Sequence, residues 1–269
     1  MADDLHTMLT FEGDASTVQA YLARPNVPGP RPAVIVIHEI YGLNDQIKGV
    51  ADRFAAAGYV ALAPHLYSRP SLADDLSPAN VEEAMRFGLS LPPDKMTDAD
   101  FVRQRLAELP PEKREVVKKV RPLLFGGLPR ASFTQDLVRA LDYLSAQSFV
   151  TPGKVASLGF CFGGGMSFDF ACHAKLAASV VFYGNNPDPI GKVENIAGPV
   201  LGLYGADDMR INASLDELVR AMAGYKKDFE MRIYPGAAHA FFNETRPSYR
   251  EAAARDAWER VLNFFKRTL

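Results

Sequence analysis

The sequence predicts an α/β fold in which a mostly parallel central sheet is covered by helices on both faces. Strand-like and helix-like stretches alternate along most of the 269 residues, and this alternation favours a parallel sheet. The stretch AVIVIH (33–38) is continuously apolar and β-branched, as a strand buried on both faces requires. Hydrophobic residues make up 48% of the chain, which is enough to fill a large core.

The first elements of the chain can be assigned in order. The extended stretches TMLTFEG and TVQAYLARP suit an antiparallel hairpin at a sheet edge, with Asp14 in the turn between them. After the strand at 33–38, residues 46–57 show helical spacing, and Gly58 is expected to stop the helix. One face of this helix is predicted to be apolar and consists of Ile47, Val50, Ala51, Phe54 and Ala55.

Five further strands are predicted, and helical segments separate them along the chain. They lie at 59–64, 155–158, 178–183, 200–204 and 229–234. Two helix starts fit the capping box, in which a serine and a Gln or Glu three residues later satisfy each other's backbone amides: Ser132–Gln135 and Ser248–Glu251. The second is predicted to open the terminal helix, whose apolar stripe is expected to pack on the core.

Residues 71–131 interrupt the alternation of strands and helices. They contain three helical stretches, at 78–88, 98–109 and 112–125, and no convincing strand. Because no composition shift or flexible linker flanks this block, we interpret residues 1–269 as a single domain that carries a helical insertion at about 71–131. A lid, an oligomer contact and additional packing are all compatible with such a block.

The composition excludes several classes of function. Lys and Arg total 30 against 32 Asp and Glu, a formal net charge of −2, so the chain offers no electrostatic footprint for nucleic acid or an anionic membrane. No apolar run approaches the roughly 20 residues that span a bilayer. The stretch MADDLHTMLTFEG does not look like a secretory signal, and two cysteines do not make a disulfide framework. We therefore expect a cytoplasmic protein.

A cysteine turn is the strongest functional signal in the sequence. The predicted strand VASL runs into GFCFGGG (159–165), which gives the pattern G-x-C-x-G between a strand and a helix. Such a turn strains its central residue, requires neighbours without a Cβ, and projects the side chain above the carboxyl edge of the sheet. A thiol at a helix N-terminus also ionises more easily, and the thiolate is the nucleophile. We predict that Cys161 is a nucleophile.

A nucleophile of this kind needs a base, and His239 is the best-placed histidine. It lies in YPGAAHAFFN, a loop between the last predicted strand and the last helix, where a base would reach the carboxyl edge of the sheet. The other four histidines lie in or after strands, or far along the helix that follows the thiol: His6, His38, His65 and His173.

The base in turn needs an orienting acid, and VLGLYGADDMRI supplies two candidates directly after a strand. The spacing from the turn at Gly205 favours Asp208, while Asp207 remains the alternative. The order Cys161, Asp, His239 is the order of nucleophile, acid and histidine in α/β-hydrolases.

Together these segments resemble the dienelactone hydrolase family of α/β-hydrolases. The similar stretches are HEIYGLN (38–44), APHLYSR (63–69), GFCFGGG (159–165), YGADDMRI (204–211) and YPGAAHAFFN (234–243). The resemblance implies an α/β-hydrolase fold with a cysteine nucleophile and a small-molecule ester or lactone as substrate. It further implies that Glu39 modulates the thiol and that the backbone amides of Ile40 and Phe162 form an oxyanion hole.

The resemblance is weaker at the residues that would recognise the substrate. Arg69 matches a family arginine that holds the carboxylate of an anionic substrate. A second family arginine, four residues after the histidine, is replaced here by Asn243, and the nearest arginine is Arg246. The sequence therefore lacks the second arginine with which the family holds a substrate carboxylate. The resemblance thus implies Arg69 and Asn243 as the substrate-binding residues. No organic cofactor and no metal are implied, because His38-Glu39 lacks the spacing of a helical metal site.

Two functions follow as hypotheses. The first is a hydrolase of esters or lactones that acts through Cys161, Asp208 and His239. The second is a thiol redox sensor or a covalent ligand-binding protein on a hydrolase-like scaffold, with Cys172 as the candidate resolving thiol. Helical geometry places Cys172 about 15 Å from the helix start at 1.5 Å per residue, too far for a disulfide. This distance disfavours the second hypothesis.

Overall fold

An eight-stranded sheet organises the chain in the computed structural model, which describes residues 5–269. The strand order is β1-β2-β4-β3-β5-β6-β7-β8. The strands are β1 (Leu5–Glu12), β2 (Thr17–Arg24), β3 (Arg31–Ile37), β4 (Val60–Pro64), β5 (Val150–Phe160), β6 (Ala178–Phe182), β7 (Val200–Gly205) and β8 (Phe229–Tyr234). The predicted strands are all present, and β5 begins earlier and ends later than expected.

The sheet is mostly parallel, as the alternation of elements predicted. Strands β1 and β2 form the expected antiparallel hairpin, and β2 also pairs antiparallel with β4. Every other neighbouring pair, from β4-β3 to β7-β8, is parallel. Because the carboxyl ends of parallel strands meet at one edge, the loops that follow β3, β5, β6, β7 and β8 converge there.

Within the described residues, ten α-helices surround the sheet. They are α1 (Asp45–Ala56), α2 (Pro70–Ala73), α3 (Pro78–Leu89), α4 (Ala99–Ala107), α5 (Pro111–Pro122), α6 (Arg130–Ser145), α7 (Phe162–His173), α8 (Met209–Asn212), α9 (Leu215–Gly224) and α10 (Glu251–Thr268). Helices α1 and α10 pack on one face of the sheet, and α6, α7 and α9 pack on the other. Within residues 5–269, no helix is long and apolar enough to cross a membrane.

The first helix shows how local sequence fixes an element. The Asn44 side chain accepts a hydrogen bond from the Ile47 amide and so satisfies one of the free amides at the helix start. The buried residues of α1 are the five that the apolar spacing predicted. Gly58 follows the helix with φ = 93°, a left-handed conformation that glycine adopts without cost and that ends the helix.

The helices predicted at 78–88, 98–109 and 112–125 correspond to α3, α4 and α5. Helices α3 and α5 share a small apolar cluster of Phe87, Leu91 and Val117. A second set of apolar residues from this part of the chain joins the main core beneath the sheet: Leu72, Leu76, Val81, Ala84, Val120 and Leu124. Helices α3 and α5 therefore pack directly on the α/β core, and the insertion into a single domain stays a prediction.

Both predicted capping boxes are wrong. Helix α6 already begins at Arg130, directly after Pro129, so Ser132 lies inside the helix. Its carbonyl instead accepts a hydrogen bond from Arg69. Helix α10 begins at Glu251, and Ser248 lies two residues before the actual cap, Arg250. The amide of Arg250 donates to the Phe241 carbonyl, which holds the segment in the preceding loop and delays the helix start.

Candidate active site

The turn between β5 and α7 holds Cys161 in a strained conformation. Its φ is 54° and its ψ is −114°, a combination that residues with a side chain rarely adopt. A Cβ on Gly159 would lie 1.9 Å from the Gly163 carbonyl oxygen, and one on Gly163 would lie 2.3 Å from the Ile37 carbonyl oxygen. The glycines are therefore required by close backbone contact, as the sequence predicted, and the thiol is left half-buried at the carboxyl edge.

The structure brings Cys161, His239 and Asp208 into one hydrogen-bonded row. His239 Nε2 lies 3.0 Å from the Cys161 Sγ, and His239 Nδ1 donates to Asp208 Oδ2 at 2.5 Å. The three residues come from the ends of β5, β7 and β8, which meet at the same edge. This is the relative placement that a thiol nucleophile, a base and an orienting acid need.

The two neighbouring aspartates have different environments. Asp208 is 6% exposed, and besides His239 it accepts a hydrogen bond from the Ile211 amide at the start of α8. Asp207 is exposed, and its amide donates to the Ala237 carbonyl. Of the two candidates left by the sequence, Asp208 is the one that contacts His239.

The pKa of His239 reflects these contacts. Burial by itself lowers the pKa, but the hydrogen bonds and the charges of Asp208 and Cys161 outweigh burial and raise the pKa to about 10. The positive form of the imidazole is thus stabilised between two acidic partners.

Glu39 lies in the loop after β3 and is almost fully buried, with 3% of its surface exposed. Its carboxylate accepts hydrogen bonds from the Tyr183 hydroxyl at 3.3 Å and from the Asn243 amide at 2.5 Å. Burial raises the pKa of Glu39, although Asn243 and His239 act in the opposite direction. The carboxylate thus bonds to Tyr183 and Asn243 and lies near enough to His239 for their charges to interact.

Hydrogen bonds of His38 and Tyr67 hold the loop that carries Glu39 and Ile40 in place. His38 Nδ1 donates to the Glu39 carbonyl at 2.6 Å, and its Nε2 accepts from the Leu66 amide at 3.2 Å. The Tyr67 hydroxyl donates to the Ile40 carbonyl at 3.2 Å. Burial and the nearby His65 lower the pKa of His38 to about 3, so the ring is neutral and can accept the Leu66 hydrogen bond.

The amides of Ile40 and Phe162 belong to the two segments that flank the thiol. Phe162 is the first residue of α7, and its amide is one of the helix N–H groups without a partner inside the helix. Among residues 5–269, neither amide donates to an acceptor of the protein. Both are thus free to receive an external acceptor.

Comparison with known proteins adds an independent finding. A family model described as the dienelactone hydrolase family matches residues 18–269. A protein of Saccharolobus solfataricus, provisionally named carboxymethylenebutenolidase, is 43% identical over 259 residues, which cover 96% of each chain. The structure of a provisionally named dienelactone hydrolase from Klebsiella pneumoniae superposes with a TM-score of 0.72 at 28% identity and 98% coverage of both chains.

The chain belongs to the dienelactone hydrolase family. The resemblance seen in the sequence is thereby confirmed, and the chain is a hydrolase of the ester or lactone type. The α/β-hydrolase fold is confirmed too. An acylaminoacyl peptidase from Pyrococcus horikoshii superposes with a TM-score of 0.67 over all of this chain and 42% of its own; at 12% identity this likeness concerns the fold alone.

In this member of the dienelactone hydrolase family, the two residues predicted to bind substrate are already engaged. The Arg69 guanidinium is buried against Asp136, with Nε–Oδ2 and Nη2–Oδ2 distances of 2.8 and 2.7 Å. Asn243 is 1% exposed and is held between Glu39 and Thr245. A contact of either side chain with substrate stays a prediction.

Sequence reasoning missed Tyr183 as a member of the site. It follows β6 at the carboxyl edge, has φ = 38°, and places its ring 5.1 Å from that of His239, centroid to centroid. The signal in the sequence was its position as the last residue of the strand predicted at 178–183. Arg246, noted only as a replacement, stacks 3.6 Å over the Tyr41 ring and lies 3.9 Å from Glu82 of α3, so it links the loops after β3 and β8 to the helices of residues 71–131.

No candidate metal centre competes with this arrangement in the part of the chain that is described. Residues 5–269 contain no group of three or more His, Cys, Asp or Glu side chains arranged to hold a metal ion. The chemistry that the site can perform with its own residues is nucleophilic attack, proton transfer and stabilisation of an oxyanion.

Proposed function

We propose that this protein hydrolyses small carboxylic esters or lactones through a Cys161–His239–Asp208 triad and a thioester acyl-enzyme. The observation that supports this most directly is the unbroken row of hydrogen bonds from the thiol to the buried carboxylate. A thiol in a strained turn, a histidine at 3.0 Å and an acid that fixes the ring are the parts that covalent acyl transfer requires.

In the first half of the reaction, the proton of the Cys161 thiol passes to His239 Nε2, and the sulfur attacks the carbonyl carbon as the thiolate. The carbonyl oxygen becomes an oxyanion, which the free amides of Ile40 and Phe162 stabilise. The tetrahedral intermediate then breaks its C–O bond. His239 returns the proton to the leaving alkoxide, and a thioester remains on Cys161; from a lactone, the alcohol stays attached to the acyl group.

In the second half, a water molecule attacks the thioester carbon and gives its proton to His239. The C–S bond breaks, the carboxylic acid leaves, and the sulfur departs as a thiolate beside the protonated imidazole. Asp208 keeps the Nδ1 proton in place throughout, so that Nε2 always faces the reacting atoms. The raised pKa of His239 matches this role, because the site stabilises the imidazolium that forms twice in each cycle.

Glu39 would modulate the nucleophile through its charge. An ionised carboxylate beside the thiol opposes formation of the thiolate, whereas a neutral carboxyl group does not. Burial raises the pKa of Glu39, which favours the neutral form, while Asn243 and Tyr183 favour the ionised form. The balance between these contacts sets how strongly Glu39 restrains Cys161.

Hydrolysis of small lactones, aryl acetates and anionic esters by purified protein tests the proposal. Cys161→Ala and His239→Ala are expected to abolish turnover while circular dichroism stays unchanged, and Asp208→Asn is expected to lower it by about 100-fold or more. Cys172→Ala is the matched control and retains full activity. Intact-mass analysis during turnover is expected to show an acyl adduct on Cys161. Wild-type turnover in Cys161→Ala would contradict the proposal.

The alternative of a thiol redox sensor loses support in the structure. Cys172 is 6% exposed, and burial together with Asp169 raises its pKa to about 12, so it forms little thiolate at neutral pH. A resolving cysteine needs access to its partner and a reactive thiol, and Cys172 has neither property.

A further inference from the structure

Strand β8 forms an open edge of the sheet whose side chains are exposed. Of its six residues, the four from Glu230 to Ile233 are exposed, although a strand between helical layers normally buries one face or both. Met231 and Ile233 keep 39% and 38% of their surfaces exposed. An edge strand with apolar side chains is a template for pairing with another strand.

The direction of the backbone groups in β8 follows from its contacts with β7. The Val200 amide donates to the Asp228 carbonyl, and the Ala206 amide donates to the Tyr234 carbonyl, so these carbonyls point toward β7. Backbone groups alternate in direction along a strand. Residues Phe229, Met231 and Ile233 therefore direct their N–H and C=O groups away from the sheet, where a further strand would pair.

We propose that this edge is a self-association surface, at which β8 of a second copy pairs antiparallel about a two-fold axis through Met231. In this register Met231 faces its own counterpart, and Phe229 faces Ile233 of the second copy. All three residues direct their backbone groups outward, so about six hydrogen bonds form across the axis. The two eight-stranded sheets become one continuous sheet.

Charge selects this register over its neighbours. With the axis at Met231, Glu230 lies opposite Arg232 of the second copy, and the same contact repeats on the other side of the axis. An axis at Glu230 would place two carboxylates face to face, and an axis at Arg232 would place two guanidinium groups face to face. An axis between two residues would oppose groups that point in different directions and cannot bond.

The side chains divide between the two faces in a compatible way. Phe229, Met231 and Ile233 lie on one face, so the exposed apolar atoms would cover one another across the axis. Glu230 and Arg232 lie on the other face, where Glu230 already pairs with Arg267 at 2.8 Å. Arg232 of the second copy would add a second cation to the same carboxylate.

Molar mass measured by light scattering over a concentration series tests the proposal. The molar mass of the wild type is expected to reach twice the 29.5 kDa of one chain. Met231→Lys places two cations at the axis and is expected to lower the measured mass to that of one chain. Met8→Lys on β1 is the matched control, since Met8 is 49% exposed at the opposite edge of the sheet. This control is expected to leave the mass unchanged.

A charge reversal then tests the register. Glu230→Arg and Arg232→Glu each oppose like charges and are expected to weaken the dimer, while the double variant restores the opposite pairing and the dimer. In a Cys161→Ala/Cys172→Ala background, Met231→Cys is expected to form a disulfide between copies, because directly opposed Cα atoms lie about 5.5 Å apart.

If the wild type keeps the molar mass of one chain throughout the concentration series, the proposal is overturned. The charged side chains of β8 would then act to prevent pairing of its edge with another strand. A dimer that survives Met231→Lys would overturn it too, because another surface would then hold the two copies. A double charge reversal that fails to restore the dimer would exclude the register with Met231 on the axis.

Discussion

The amide of Asn243 donates a 2.5 Å hydrogen bond to the carboxylate of Glu39, although 204 residues separate the two in the chain. Both side chains are buried. The carbonyl oxygen of the Asn243 side chain accepts hydrogen bonds from the amide and hydroxyl of Thr245, which fixes the orientation of the group. The loop that carries His239 is thus tied to the loop that carries Glu39 and Ile40.

Removal of this hydrogen bond is expected to destabilise the protein and change the ionisation of Glu39. Asn243→Ala leaves a buried carboxylate with one partner, Tyr183, and we expect a loss of about 1–3 kcal/mol in the free energy of unfolding at neutral pH. Because Asn243 holds the pKa of Glu39 down, its removal raises that pKa further. Urea unfolding at several pH values measures both effects.

Asn243→Asp provides the matched comparison, since it keeps the shape but adds a second buried carboxylate. It is expected to destabilise more than alanine at neutral pH and to recover stability relative to wild type as pH falls and one carboxylate is protonated. Equal stability of the alanine variant and wild type would show that the hydrogen bond contributes nothing.

The two cysteines are expected to differ sharply in reactivity. In native protein at neutral pH, iodoacetamide should label Cys161 alone, because Cys161 contacts His239 and Cys172 is buried with a pKa raised to about 12. Peptide mass mapping after timed alkylation measures the rates. His239→Ala is expected to slow the labelling of Cys161, and Glu39→Gln, which removes a competing negative charge, is expected to accelerate it.

The control for this experiment is Cys172→Ala, which should alkylate at the wild-type rate. Labelling of Cys172 at a rate similar to that of Cys161 in the folded protein would contradict the contrast between the two environments. An unchanged rate in Glu39→Gln would remove the proposed restraint on the nucleophile while leaving the triad itself in place.

Much of this architecture could be predicted because the relevant signals are local. The glycines around Cys161 predict the cysteine turn, because their close contacts leave no room for a Cβ. The spacing of apolar residues in α1 predicts its buried face. The partners of buried polar groups are not local. Nothing near Arg69 in sequence reveals that Asp136 lies against it, and no periodicity places Tyr183 beside Glu39. The predicted starts of α6 and α10 were also wrong, because a proline or a long-range hydrogen bond overrode the capping sequence.

His38 is expected to make the protein less stable in acid. Its folded pKa is about 3, whereas an unfolded histidine titrates near 6.5, so below that value the unfolded chain binds a proton that the native state excludes. The stability that His38 contributes is therefore fully present above pH 6.5 and is lost as pH falls toward 3, at a limiting slope of about 1.4 kcal/mol per pH unit.

Urea unfolding between pH 7 and 4 measures this slope, with His38→Gln as the test variant. Glutamine cannot take up the proton, so the variant should start less stable and lose less stability with acid. His6→Gln, at an exposed position of β1, is the control and should keep the wild-type slope. Parallel curves for His38→Gln and wild type would contradict the assignment of a neutral His38.

Two roles of Arg69, as an ion-pair partner and as a substrate contact, can be separated by mutation. Its guanidinium is paired with Asp136, and the other Asp136 oxygen accepts from the Asp14 amide in the β1–β2 turn. Asp136 is completely buried. Arg69→Ala would leave its carboxylate without a cation, so we expect a loss of about 3–5 kcal/mol in the free energy of unfolding. Arg69→Met combined with Asp136→Leu removes both charges and should restore much of that stability, because no uncompensated charge remains.

Kinetics on the stable double variant then decide whether Arg69 also meets substrate. If it acts only through the ion pair, KM for anionic and for neutral esters should change by the same factor. If the arginine holds a substrate carboxylate, KM should rise for anionic esters alone, since only they lose a charged partner. Because the guanidinium has its Nε and Nη2 on Asp136, we expect the first result, and a selective loss of anionic substrates would contradict it.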